Sequence, residues 1–203
     1  VPCYLTGNDV DWGLELGFRK FKLARPHSVY DGHAGIEGTV EMIARTREMI
    51  GADADLMLDC WMAYDVDYTV RMCEALRPYR MNWMEEMLMP HDWKGLKALR
   101  QRIPWQTIAT GEHWATRHPA IRAIEERQVD LIQADLHWIG GFTEAMKVAH
   151  AADAAAVDRP EEGLGAGGVV ALEGTGVTGH DDRIGQLIAV LKIEDAAGAH
   201  AAH

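Results

Sequence analysis

Three acidic residues stand at the ends of three successive predicted β-strands, and this regular arrangement constrains the fold more than any other feature. Asp59 follows the run DLML, Glu85 follows NWM and Glu112 follows IATG. The intervals between them are 26 and 27 residues, about the length of one strand, one returning helix and two loops. This repetition predicts a parallel sheet in which each strand is followed by a helix, as in a (β/α)8 barrel.

The strand–helix alternation extends over six units. Each strand segment is apolar enough to be buried on both faces, as parallel strands are. The predicted strands are 2–6, 18–24, 55–60, 81–86, 105–112 and 130–135, and the predicted helices are about 9–17, 36–51, 67–79, 92–102, 117–128 and 140–156. Asp67 and Asp92 are the predicted caps of the third and fourth helices. Residues 1–156 are therefore predicted to form barrel units one to six.

The pattern changes after residue 156. Residues 157–203 are rich in Gly and Ala, and we expect them to be weakly structured or to close the barrel atypically. Within them, GGVVALEG is consistent with one strand and 182–197 with one helix. The predicted fold class is α/β, an incomplete or atypically closed TIM-type barrel. Because an unclosed parallel sheet exposes its edges, we expect a homo-oligomer.

The bulk composition excludes several classes of partner. The chain has 203 residues and a formal net charge of −11, which argues against binding to nucleic acid or to an anionic membrane surface. Three cysteines without metal-finger spacing indicate reduced thiols. Neither a signal peptide nor an apolar run of 18 residues is visible, so the predicted location is the cytoplasm.

The three strand-end carboxylates predict a metal site. The C-terminal strand ends of a (β/α)8 barrel open onto one face, so Asp59, Glu85 and Glu112 would converge there. Carboxylates at such short distances repel one another unless a cation lies between them. A set of oxygen ligands suits a hard ion such as Mg²⁺. Taken singly, each residue would be an ordinary surface carboxylate.

The runs LMLDCWM, WMEEMLMP, TGEH and DLIQAD, with WIGG soon after, resemble the barrel domain of the enolase superfamily. The resemblance covers about residues 1–153 and is greatest to the mandelate-racemase-like acid-sugar dehydratases, in particular the rhamnonate dehydratases. It implies Mg²⁺ held by Asp59, Glu85 and Glu112. Of the adjacent pair Glu85 and Glu86, Glu85 matches the family's ligand position, and we expect Glu86 to orient neighbouring groups. It further implies that an aldonate substrate loses its α-proton to give an enediolate, and then loses its β-hydroxyl to give a 2-keto-3-deoxy acid.

The same resemblance implies roles for three further residues. Asp135 matches the aspartate of an Asp–His dyad, although it could instead cap the next helix. His113 matches a histidine that contacts substrate or donates a proton, although it could be a packed structural histidine. Lys22 matches the first lysine of a K-x-K pattern and could bind the substrate carboxylate or extend to solvent. The second position is Ala24, which argues against a racemase.

Two tryptophans, Trp61 and Trp138, follow the third and sixth strands closely. Packing in the core or at the rim of the barrel is the simplest interpretation of both.

Two features depart from the family pattern. The chain starts at the first barrel strand, so we expect the family's α+β capping domain to be missing. No histidine lies between His150 and His180, where the family places the dyad histidine on strand seven. The leading hypothesis is a Mg²⁺-dependent dehydratase of L-rhamnonate or a similar six-carbon aldonate. The alternative is a truncated, catalytically inactive remnant that retains metal binding or only the scaffold.

Overall fold

A closed barrel of eight strands is the centre of the fold. The structure, a computed structural model, describes residues 3–157, 169–173 and 187–191. Consecutive strands from β1 to β7 pair in parallel, whereas β8 is antiparallel to both β7 and β1. The strands are β1 (Cys3–Thr6), β2 (Lys20–Ala24), β3 (Asp55–Asp59), β4 (Trp83–Glu85), β5 (Ile108–Thr110), β6 (Leu131–Asp135), β7 (Val169–Glu173) and β8 (Leu187–Leu191).

Six helices connect the first seven strands. They are α1 (Val10–Glu15), α2 (Gly32–Ile50), α3 (Val66–Leu76), α4 (Trp93–Arg102), α5 (Arg117–Glu125) and α6 (Phe142–Val157), and short 3-10 turns precede α2 and follow α3. None of the described helices is both long and apolar enough to cross a membrane.

Aspartate side chains cap two of the described helices, α3 and α4. The Asp92 carboxylate accepts a hydrogen bond from the Gly95 backbone N–H, so it caps α4 as predicted. The predicted cap of α3 was wrong, because Asp65 rather than Asp67 accepts the N–H of Tyr68.

The predicted α/β barrel class is confirmed, and the barrel closes atypically through the antiparallel β8. The predicted strand in GGVVALEG corresponds to β7. The predicted helix over 182–197 was wrong at its centre, where Leu187–Leu191 form β8. A short apolar run fits either element on periodicity alone, and here pairing with two neighbouring strands decides for the strand.

The barrel is closed, so it has no open strand edges. The prediction of a homo-oligomer had been based on such edges. β8 pairs with β1 through Cys3, Tyr4 and Leu5 and with β7 on its other side. A closed barrel has no free strand edge. The homo-oligomer therefore stays a prediction, and exposed strand edges no longer support it.

Side-chain alternation along the strands separates two packing regions, as the two-residue period of a strand requires. Phe21, Leu23, Leu56 and Leu58 belong to the core cluster shared with the surrounding helices. Met57 instead packs inside the barrel in a separate small cluster with Tyr4 and Trp83. The same period turns Lys22, Asp59 and Glu85 toward the barrel interior.

Candidate metal centre

The three predicted ligands converge at the C-terminal rim of the barrel. Asp59 and Glu85 are the last residues of β3 and β4 and are register partners. Glu112 lies two residues beyond the end of β5. Each of the three carboxylates offers an oxygen atom, and these oxygens lie within 4.8 Å of one another. This is the convergence that parallel strand ends impose.

Glu85 is fully buried and has a partner on each of its oxygens. Oε1 lies 2.5 Å from the Lys22 ammonium nitrogen, and Oε2 accepts a hydrogen bond of 3.0 Å from the Trp83 indole N–H. Burying a carboxylate is costly unless it is paired in this way. Trp83 precedes Glu85 by two residues on the same strand, so both side chains share one face.

Lys22 connects two of the predicted ligands. Its ammonium nitrogen lies 3.3 Å from Asp59 Oδ2 as well as 2.5 Å from Glu85 Oε1, and the side chain is only 2% exposed. The Tyr4 ring centroid lies 5.7 Å from the same nitrogen. The alternative in which Lys22 extends to solvent is therefore wrong. Contact with a substrate carboxylate stays a prediction.

The pKa of Glu112 is affected by burial and by the charges of the surrounding carboxylates and of Lys22. Burial raises the pKa of its carboxyl group to about 7, and the negative charges of Glu86, Glu85 and Asp59 act in the same direction against the lowering effect of Lys22. A divalent cation at this point would favour the ionised form.

The residues fit a hard divalent cation. With all groups ionised, the three carboxylates and the Lys22 ammonium leave an excess of negative charge in a mostly buried space. All candidate ligand atoms are oxygens, the donors that Mg²⁺ prefers. A bound ion would share Asp59 and Glu85 with Lys22, so we expect the ammonium to move or to exchange contacts on binding.

A carboxylate–histidine contact lies beside this group. His113 Nδ1 is 2.8 Å from Glu86 Oε2, and Glu86 is 2% exposed. Burial raises the pKa of the Glu86 carboxyl group, and His113 acts against that rise. Oxygen and nitrogen atoms of Glu86, Glu112 and His113 also lie within 4.8 Å of one another.

Trp61 and Trp138 both lie beside the His113 ring. Their ring centroids are 6.4 Å and 5.2 Å from the imidazole, in edge-on arrangements. The residues are 58% and 55% exposed, so of the two packing alternatives the structure selects the rim. Sequence reasoning placed both near strand ends but did not connect them with His113.

Asp135 is buried and its carboxylate holds a turn. Oδ1 accepts the backbone N–H groups of His137 at 2.7 Å and Trp138 at 2.9 Å. In the described part of the chain, no histidine ring is hydrogen-bonded to this carboxylate, since His137 contacts it only through its backbone N–H. The Asp–His dyad therefore stays a prediction. The alternative, a cap of the next helix, is not met, because Asp135 caps the turn after β6 and α6 begins only at Phe142.

The histidines considered for the dyad do not complete it in the described residues. His150 is an exposed residue of α6, and His180 lies outside the described residues. β7 has the sequence VVALE and contains no histidine, and the residue paired with Asp135 in the strand register is Glu173.

Comparisons with known proteins identify the fold family. The family model described as "Enolase C-terminal domain-like" matches residues 10–172. An L-rhamnonate dehydratase from Saccharopolyspora erythraea is 40% identical over 155 residues, which are 76% of this chain and 40% of that protein. The chain thus spans about two fifths of the length of this curated relative.

Solved structures agree with the family match. The crystal structure of rhamnonate dehydratase from Gibberella zeae complexed with Mg has a TM-score of 0.71 at 35% identity, covering 75% of this chain and 38% of that one. The crystal structure of a racemase from Streptomyces coelicolor A3(2) with bound magnesium has a TM-score of 0.70 at 28% identity, covering 87% of this chain and 47% of that one.

Proposed function

Because the chain belongs to the enolase C-terminal domain-like family, we propose that it provides the barrel of a Mg²⁺-dependent acid-sugar dehydratase acting on L-rhamnonate or a similar six-carbon aldonate. The observation that carries this proposal is the convergence of Asp59, Glu85 and Glu112 at the rim. Two relatives with the name rhamnonate dehydratase, one of them complexed with Mg, support it.

The three carboxylates would hold the ion in this proposal. When bound, Mg²⁺ supplies positive charge that stabilises the negative charge developing on the substrate carboxylate as the α-proton leaves. Lys22 adds an ammonium group at the same place, where it favours an anionic substrate despite the net charge of −11 of the chain.

Dehydration transfers the α-proton to a base and breaks the β C–O bond, and the leaving hydroxyl takes up a proton to depart as water. His113 is the proposed donor of that proton, because an imidazole can carry a proton near neutral pH. The rings of Trp61 and Trp138 lie edge-on to the imidazole, and the His113 side chain is 17% exposed. The enol that remains becomes a 2-keto-3-deoxy acid.

A second candidate is an inactive member of the family that keeps the metal site. Two observations favour it: β7 contains no histidine, and His150 is exposed on α6. In this case the carboxylates still bind Mg²⁺, but no aldonate is converted.

A 2-keto-acid assay tests the two candidates against each other. The purified chain is incubated with L-rhamnonate and a panel of other aldonates, with Mg²⁺ or with a chelator. We expect keto acid only with Mg²⁺, loss of product in Glu85→Gln, and normal activity in the surface control Glu125→Gln. A folded chain that binds Mg²⁺ but converts no aldonate would overturn the dehydratase proposal and support the inactive member.

A further inference from the structure

Glu86 is a buried carboxylate for which the proposed chemistry has no direct use. It follows Glu85 immediately, yet the two side chains go to different partners. Glu85 contacts Lys22 and Trp83, whereas Glu86 contacts His113. A carboxylate that is 2% exposed is costly to bury, so its partner determines whether the arrangement is stable.

Both oxygens of Glu86 face the same residue. Oε2 lies 2.8 Å from Nδ1 of the His113 ring, and Oε1 accepts the His113 backbone N–H at 3.4 Å. The ring therefore has one edge against a carboxylate, with Trp61 and Trp138 edge-on to it. Contacts from three elements fix its orientation at the rim.

The backbone at Glu86 explains how two adjacent carboxylates diverge. Glu86 has a φ of 41°, in the left-handed region that residues other than glycine rarely adopt. Its carbonyl accepts the N–H of Met62, and its own N–H donates to the Ala109 carbonyl. The neighbouring loop and β5 thus hold the bend that turns Glu86 toward His113.

We propose that Glu86 is a positioning residue that orients His113 and selects the neutral tautomer with hydrogen on Nδ1. An ionised carboxylate only accepts hydrogen bonds, so the nitrogen facing it bears the hydrogen. Nε2 then carries the lone pair, and it is the nitrogen that takes up a proton and delivers it to a leaving hydroxyl. This inference rests on the proposed function for the role of His113, but the tautomer itself does not.

A cation bound by Glu86, Glu112 and His113 is the competing explanation of the same cluster. It makes the opposite demand on the ring, because a metal bound at Nδ1 requires that nitrogen to be without hydrogen. The two explanations are therefore separated by adding Mg²⁺ to the chelator-treated chain: the Nδ1–H pattern of His113 persists if Glu86 positions the ring, and is lost if the ion binds at Nδ1.

The experiment is a ¹⁵N NMR spectrum of the full chain labelled at histidine, recorded with a chelator above neutral pH. The chain has ten histidines, and the signal lost in His113→Gln assigns His113. We expect the Nδ1–H pattern in the wild-type chain and in Glu125→Gln. We expect a loss of that preference in Glu86→Ala. In Glu86→Gln the amide can either accept or donate, so both tautomers should be populated.

The two variants keep the test decisive if one of them fails to fold, because Glu86→Gln preserves the shape of the side chain. An Nδ1–H pattern that persists in a folded Glu86 variant, or an Nε2–H pattern in the wild-type chain, would overturn the proposal. If the chain converts aldonates, Glu86→Gln should lower kcat by about tenfold or more with a smaller change in KM. If the wild-type chain shows the Nδ1–H tautomer of His113 but converts no aldonate, the proposed function is contradicted, whereas the positioning of His113 by Glu86 is supported.

Discussion

At the scale of single residues, Lys22 is the cation that pairs with two carboxylates of the candidate site. Its ammonium nitrogen is within 3.3 Å of Asp59 and 2.5 Å of Glu85, and all but 2% of its side chain is buried. Removing one partner of a buried ion pair leaves the other charge uncompensated, and this costs more than the pair contributes when intact.

Lys22→Met is therefore expected to lower the free energy of unfolding by about 3 kcal/mol in a chelator. Mg²⁺ should restore part of this loss, because a bound cation replaces the missing positive charge. Denaturant unfolding with and without Mg²⁺ measures both effects. Lys20→Met is the matched control on the same strand, since its pair with Asp55 is partly exposed and worth about 1 kcal/mol or less. Equal losses in the two variants would contradict this account of Lys22.

The carboxyl group of Glu112 is expected to make the stability of the metal-free chain depend on pH. The folded-state pKa of its carboxyl group is about 7, above its ordinary value of 4.5. The folded state thus binds the proton more tightly, and stability falls as pH rises from the unfolded pKa through the folded one. We expect the free energy of unfolding in a chelator to decrease between about pH 5 and pH 7.5, with a shallower decrease in Glu112→Gln. Identical slopes for the two proteins would exclude Glu112 as the cause.

The sequence predicts the convergence of the three carboxylates but not their partners. Asp59, Glu85 and Glu112 are brought together by topology, because all strands of a parallel barrel end on one face. The contact of Lys22 with Glu85 spans 63 residues and depends on strand register and side-chain direction. The His113–Glu86 contact depends in addition on the bend at Glu86, for which the sequence has no glycine signal.

At the scale of elements, the turn after β5 positions Glu112. Gly111 precedes the carboxylate and has a φ of +125°, a conformation that other residues adopt only with strain. A Cβ atom added there would lie 3.1 Å from the Trp114 ring and 3.2 Å from the Gln133 carbonyl oxygen. The glycine therefore permits both the turn and the close approach of β6.

Gly111→Ala is expected to lower the free energy of unfolding by about 2–3 kcal/mol, through strain and overpacking together. Gly7→Ala is the matched control. Gly7 has a similar φ of +132° but nothing within 4 Å of an added Cβ, so its loss should be about 1 kcal/mol. Chemical denaturation of both variants measures the difference. A larger loss at Gly7 than at Gly111 would contradict the packing argument.

Element boundaries were predicted less well than element order. The segment 105–112 is predicted to be one strand, but only Ile108–Thr110 form β5. Trp105 instead lies at the surface, where its ring is 4.6 Å from the Arg77 guanidinium. Hydrophobicity alone does not distinguish a residue inside the sheet from one that packs beside it. β8 was mistaken for a helix because a short apolar run fits either element, and its pairing with β1 and β7 is a tertiary contact that the sequence pattern does not show.

At the scale of the whole molecule, β8 completes the barrel. It is paired on both sides, and Ala189 is the register partner of Cys3 in β1 and of Leu172 in β7. A proline in a strand with two neighbours removes a ladder hydrogen bond.

Ala189→Pro should therefore reduce the stability of the whole barrel by about 2 kcal/mol or more. Hydrogen exchange should show lost protection of amides in β1 and β7, on both sides of β8. Ala189→Gly keeps the N–H group and should cost about 1 kcal/mol. Unchanged protection in β1 and β7 of the proline variant would show that β8 does not hold the barrel closed.

The most direct test of the central claim is a calorimetric titration of Mg²⁺ into the chain after removal of metal by a chelator. If Asp59, Glu85 and Glu112 form the site, one ion binds per chain, and the affinity falls by about tenfold or more in Asp59→Asn, Glu85→Gln and Glu112→Gln. Binding should also raise the Tm, because the ion binds the folded state alone. Absence of binding by the folded chain, or equal affinity in all three variants, would contradict the account.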